Sequence, residues 1–99
     1  MKVANMFMFE FNSETDANKF IKGWEEHGLY PGADVTLFMK TGPTSGVGMT
    51  VYPNEEAREK GAALRENNLK EKKMAKRLKD VVALSGTLPI EFIAEHYNK

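Results

Sequence analysis

Ninety-nine residues, 41% of them hydrophobic and 28% charged, describe one small soluble domain, since a chain of this size buries only about 60–65% of its unfolded surface. Fourteen basic side chains against fourteen acidic ones leave a formal charge of zero, so no global field draws in nucleic acid or an anionic membrane. Cysteine is absent, which removes disulfides, thiolate nucleophiles, iron–sulfur clusters and cysteine zinc sites together; the core must hold by packing alone, which favours an oligomer.

Residues 2–11 alternate. Val3, Asn5, Phe7, Phe9 and Phe11 point one way, and Ala4, Met6, Met8 and Glu10 the other. A period of two predicts a strand, and large apolar groups on both faces predict a central one. The same stretch makes a poor leader: Lys2 is its one early cation, and Asn5 and Glu10 break the apolar run. With no stretch near ~20 apolar residues, no membrane partner is expected and the cytoplasm is the expected location.

Ser13 opens a helix over 14–27. Ser13 and Asp16 have capping-box spacing, and Glu14 and Asp16 suit the positive helix end. Ala17, Phe20, Ile21 and Trp24 form its apolar stripe, and Gly28 closes it. Residues 33–40 alternate as a second strand and 47–52 as a third. The Gly- and Pro-containing stretch 41–46 joins them as a hairpin. It has no Lys-Ser/Thr pair and leads into a strand, which argues against a phosphate loop.

Pro53 ends the third strand and Asn54 caps a second helix. Ala57, Gly61 and Leu64 give its first stripe. The pattern fails at Asn67-Asn68 and resumes with Met74, Leu78, Val81 and Val82. A long, bent helix over 55–84, closed by Gly86, is the expectation. Leu88, Ile90, Phe92, Ala94 and His96 then alternate with Pro89, Glu91, Ile93, Glu95 and Tyr97 as a fourth strand. Its proline, which cannot donate to a ladder, puts it at an edge.

The order β-α-β-β-α-β leads to a four-stranded antiparallel sheet ordered 4-1-3-2 with two helices on one face, the ferredoxin-like α+β plan, in a single domain over 1–99. Two helices cover one face. The richer set is assigned to them: the odd residues of the first strand, with Val35, Leu37, Met39, Val47, Met49, Val51, Leu88, Ile90 and Phe92. The opposite face still carries Met6, Met8, Phe38, Tyr52, Ile93 and Tyr97, a patch of the kind that marks an interface. Two copies stacked sheet to sheet, a homodimer through Met6, Met8, Phe38 and Tyr52, would bury it.

With this order the chain resembles the dimeric α+β barrel superfamily, to which the antibiotic-biosynthesis-monooxygenase-like proteins belong. The segment Val51-Tyr52-Pro53-Asn54-Glu55-Glu56-Ala57-Arg58 is similar to that group's join of third strand to second helix, and Val81-Val82-Ala83-Leu84-Ser85-Gly86 to its approach to the last strand. The resemblance implies a pocket between helices and sheet, in which some relatives oxidise phenolic or aromatic substrates without metal or flavin and others degrade haem. A polar residue on the first strand, often Asn, serves such sites with Trp, Tyr or His nearby.

Asn5, Trp24 and His27 are accordingly the candidate ligand-binding residues. Asn5 is the one polar side chain on its strand face, so its amide is either satisfied internally or aimed at a ligand. Trp24 lies in the helix stripe, where packing is the ordinary role of a large aromatic. His27 suits the negative helix end, and either His27 or His96 has the pKa range of a general base. Haem-degrading relatives carry a histidine on the second helix, and there is none in 55–84. Two distant histidines without HxxxH or HExxH spacing provide no metal template, and no cofactor is expected.

Three functions stay open: binding of a small apolar or aromatic molecule, a cofactor-independent monooxygenase or isomerase, and an RNA-binding module. RNA-recognition domains share the strand order, but the window Ser45–Tyr52 lacks their basic residue and inner aromatics. The cations of 70–79 read as a solvated helix face. Both points argue against nucleic acid.

Overall fold

A computed structural model describes residues 1–66 and 75–94. In chain order these form β1 (Val3–Phe11), α1 (Glu14–His27), β2 (Val35–Gly42), β3 (Ser45–Tyr52), α2 (Glu55–Glu66) and β4 (Leu78–Thr87). The sheet runs β2-β3-β1-β4 with every neighbouring pair antiparallel. This is the expected ferredoxin-like sheet, with β1 and β3 central.

The caps sit where the sequence places them. Ser13 accepts a hydrogen bond from the Asp16 amide at 3.1 Å, and Asn54 accepts one from the Ala57 amide at 2.8 Å. Each side chain satisfies one of the amides that a helix start leaves unpaired. Gly28 ends α1 at φ 76°, its amide bonded to the Trp24 carbonyl; that left-handed backbone is open to glycine at little cost. The β2–β3 connection is a tight hairpin, its strands running to Gly42 and resuming at Ser45.

The second half departs from expectation. Residues 78–84 are strand where a helix was predicted; α2 is described over Glu55–Glu66, and residues 67–74, with the expected break at Asn67-Asn68, lie outside the described residues. β4 is Leu78–Thr87, so Val81–Gly86 lies within the last strand and not before it; 88–94 of the expected strand are not strand, and 95–97, Tyr97 among them, lie outside the described residues. Pairing decides this. The free edge of β1 takes one partner, and β4 matches it from Val3↔Thr87 to Phe11↔Leu78 with a bulge at Glu10/Phe11. A run containing Val81 and Val82 suits a strand as well as it suits a helix stripe. The bond from Leu88 N to Lys2 O, at 2.9 Å, is followed at once by Pro89, which stops the ladder instead of sitting in it. Lys2 then holds the departing chain through Glu91 at 3.2 Å and meets Asp34 at 3.3 Å.

The faces also need correction on β2 and β3. Cross-strand partners share a face, and Phe7 stands opposite Gly48, which stands opposite Phe38. Phe38 and Tyr52 therefore lie on the helix side, not at the expected interface. Tyr52 is 1% exposed, and Phe38 packs against Phe9, Phe20 and Trp24. Val35, Leu37, Met39, Val47, Met49 and Val51 turn to the open face with Met6 and Met8. Volume is the reason. The helix side of β1 supplies Phe7, Phe9 and Phe11, and α1 adds Phe20 and Trp24. Rings of that size need a floor without side chains, which Gly46 and Gly48 provide. A Cβ on Gly48 would meet Trp24 Cη2 at 2.5 Å, and one on Gly46 would meet the Phe38 ring.

The core is thus an aromatic cluster under α1, with Phe9, Phe11, Ala17, Phe20, Trp24 and Tyr30 buried. The open face is apolar and uncovered: Met8, Val35, Leu37, Met39, Val82 and Leu84 are each between 41% and 62% exposed.

Candidate functional site

Asn5 interrupts the apolar helix face of β1 and is 5% exposed. In register it stands between Thr50 on β3 and Ser85 on β4. The first turn of α2 passes above it. Gly61 sets that height, since a Cβ there would come within 2.6 Å of the Tyr52 hydroxyl; a helix carrying any larger residue at this point would ride further from the sheet.

Arg58 reaches down from this turn. Its Nε donates to Glu55 Oε1 at 2.9 Å and its Nη2 donates to the same oxygen. Its Nη1 points to Asn5 Oδ1 at 3.4 Å, long for a hydrogen bond. The hydrogen bond from Arg58 holds the Glu55 carboxyl below the usual carboxylate range, and Glu55 raises the guanidinium in turn. The cation is therefore permanent at any physiological pH, and Glu55 fixes its orientation.

Between these elements lies a cavity of about 210 Å³ lined by Asn5, Phe7, Arg58, Ala62, Ala83, Leu84 and Ser85. Its walls are apolar and its polar groups, the amide, guanidinium and hydroxyl, converge from three elements, the usual character of a small-molecule site. These groups can hydrogen-bond and polarise an oxygen. None of the lining side chains titrates near neutrality, so the described cavity holds no general base of the ordinary kind.

The structure separates the three residues expected to act together. Asn5 lines this cavity. Trp24 does not: it is buried among Phe9, Phe20, Tyr30 and Phe38 under α1. It borders a different pocket of about 410 Å³ with Ile21, Glu25, Gly28, Leu29, Thr36 and Phe38. Among the described residues its buried Nε1 has no hydrogen-bond partner. His27 lines neither pocket; its ring lies 4.6 Å from that of Tyr30, and its Nδ1 is 3.3 Å from the Gly28 carbonyl oxygen. His27 follows Trp24 by one helical turn, and both belong to the α1 half of the sheet, away from β4. His96 lies outside the described residues.

Arg58 and Ser85 escaped the sequence reading as site residues. A signal for Arg58 was present: it stands three residues before Gly61 on the margin of the apolar stripe, close enough to the buried face for a long side chain to reach under the helix. Ser85 was hidden by the placement of 78–84 in a helix. Among the described residues no group of three His, Asp or Glu side chains is placed to hold a metal, and no helix is long and apolar enough to cross a membrane.

No family model and no curated protein matches the sequence. Solved structures do. The chain is similar to a dimeric ferredoxin-like protein from an uncultured marine organism, with 20% identity and a TM-score of 0.77 over 93% of this chain and 91% of that one. It is similar to SnoaB, a cofactor-independent oxygenase from Streptomyces nogalater, with 13% identity and a TM-score of 0.67 over 91% and 95% of the two chains. A NIPSNAP family protein from Agrobacterium tumefaciens matches with 10% identity and a TM-score of 0.66 over 95% and 98%. At these identities the likeness establishes the fold, and function has to be argued from the site.

Proposed function

From the ferredoxin-like fold that this chain shares with the dimeric α+β barrel proteins, we propose that it is a homodimer binding a small apolar or aromatic molecule between α2 and the sheet. One observation carries the binding reading. A buried amide on an otherwise apolar strand face meets a guanidinium across an apolar-walled cavity, and a merely structural Asn5 has no need of that open space. The homodimer reading rests on the open sheet face, whose exposed Met, Leu and Val side chains span β1, β2 and β4. Monomers seldom leave contiguous apolar surface of this kind to water.

Cofactor-independent oxygenation is the second reading. The fold shared with SnoaB favours it, and the lack of a near-neutral base among the lining side chains weighs for binding instead.

The test is Asn5→Ala, followed by thermal melts and native mass spectrometry of the protein as purified. A binding role predicts near-neutral stability with loss of retained ligand, because sites trade stability for function. A structural role predicts a loss of about 1–3 kcal/mol, the range for orphaned buried partners. A destabilised variant that still holds its ligand would remove Asn5 from the site.

A further inference from the structure

We infer that the cavity between β1, β4 and α2 recognises a carboxylate, and that its ligand is a compact, benzoate-sized apolar acid. The inference rests on the binding role proposed above and names the chemistry of what is bound.

A guanidinium has two forked edges. Glu55 takes one edge of Arg58, through Nε and Nη2. The remaining edge, Nη1 with the second hydrogen of Nη2, lies toward Asn5, and both residues line the cavity. At 3.4 Å the contact to Asn5 leaves Nη1 with donor capacity to spare. Asn5 adds to it. Its Oδ1 faces the cation, the orientation that avoids setting donor against donor, so Nδ2 is the amide group left to offer. The Ser85 hydroxyl is also at the cavity and donates as readily as it accepts. The polar end of the site is therefore built of donors around one fixed positive charge. Its complement is a planar group with two acceptor oxygens, which pairs with a guanidinium edge in a fork.

The rest of the ligand is set by the walls and the volume. Phe7, Ala62 and Ala83 are apolar, and the Leu84 side chain, in register with Met6, turns to the open face. An enclosed cavity of roughly 150 Å³ holds benzene; this one, about 210 Å³ and open on the side of the exposed β4, has room for one ring with one small substituent. Glu55 argues against more highly charged ligands. Its carboxylate balances Arg58, so a monoanion adds one excess negative charge and a phosphate dianion adds two. The Glu55 side chain is 53% exposed, and solvent screens the monoanion case.

The probes are benzoate and benzyl alcohol, which match in ring and size and differ in charge, titrated into the full chain by calorimetry with thermal melts alongside. Benzoate should bind at least about tenfold more tightly, the scale of one charge-assisted hydrogen bond. Arg58→Gln should bring the two ligands within about threefold of each other, the preference having come from that charge. Asn5→Asp places a carboxylate against Arg58 without changing shape; it should weaken benzoate by at least about tenfold, read beside the variant's own ligand-free melt because a second carboxylate at this buried position lowers stability. Benzyl alcohol binding as well as benzoate to the unaltered protein would overturn the carboxylate inference and leave the small-molecule reading standing. Failure of both ligands would overturn the two together. Benzoate binding undiminished in both variants would place it elsewhere and overturn the assignment.

Discussion

Gly48→Ala tests the packing of the sheet with a single methyl group. In the native chain Gly48 lies beneath Trp24, and the added Cβ would stand 2.5 Å from Cη2, 3.0 Å from Cζ3 and 3.3 Å from Phe9 Cε2. A flexible side chain would swing away. Trp24 resists this, because its ring is held by Phe9, Phe20, Tyr30 and Phe38 at centroid distances from 5.5 to 6.4 Å, and its opening is toward the pocket beside Ile21 and Leu29. Overpacking by one methyl costs about 1–3 kcal/mol, and replacing a strand glycine returns roughly 0.5–1 kcal/mol of backbone entropy. The difference spans roughly 0–2.5 kcal/mol, centred on a loss of about 1 kcal/mol, or a fall in Tm of roughly 4–8 °C at this size. Urea unfolding and thermal melts at one fixed protein concentration measure it, the concentration being held because an oligomer's Tm depends on it. The Cη2 and Cζ3 atoms belong to the six-membered ring, so adding Trp24→Leu should make the pair cost less than the sum of the singles. A Gly48→Ala protein more stable than the parent, showing the backbone gain with no packing cost, would refute the packing argument and return Gly48 to the open face.

Phe9→Ala should cost about 3–5 kcal/mol, because Phe9 is buried against five other rings; a loss under about 1 kcal/mol in urea would show that the site collapses freely. Met8→Lys puts a charge at the centre of the open face and should turn a sedimenting dimer into a monomer with little change in the monomer's fold, since burying an unpaired charge is costly; an unaltered dimer would exclude this face as the interface. Glu55 has a folded-state pKa below its unfolded value, so its contribution is present above about pH 4.3 and is lost as pH falls through the lowered value. Glu55→Gln should accordingly flatten that part of the acid limb in a pH series of melts, and an identical acid limb would show the pair to be idle.

Local signals survived the comparison of sequence with structure, and non-local ones divided. Ser13, Gly28 and Asn54 act on their neighbours in the chain, and all three act as predicted. The faces of β1 were legible because phenylalanines fill one of them. Those of β2 and β3 were not: Val, Leu and Met look more buried than Gly46 and Gly48, and only the rings arriving from β1 and α1 reverse that ranking. The position of β4 depended on a competition between two strand-capable segments for one edge, and no window of sequence contains the rival's register. At the site, Asn5 was legible because it breaks a pattern. Arg58 acts through the length of its side chain, across fifty-three positions of sequence, and periodicity does not record reach. Trp24 and His27 were grouped with Asn5 because the helix was known to cover the strand, but not where along the sheet it does so.

β4 is exposed over nearly its whole length, Leu78 apart, while the aromatic cluster sits under α1. The two sides of the sheet therefore open at different free energies. Backbone amides of β4 would exchange their hydrogens through local opening at low cost, and those of β1 and β3 only on global unfolding. A dimer would cover the open face of β4 and leave its other face, with Ala83 and Ser85, as it is. The cavity is bounded by this softer strand, so an occupant joining Arg58 to β4 would slow exchange there in proportion to its occupancy. The loosest strand of the sheet is in this way the natural reporter of whatever the protein binds.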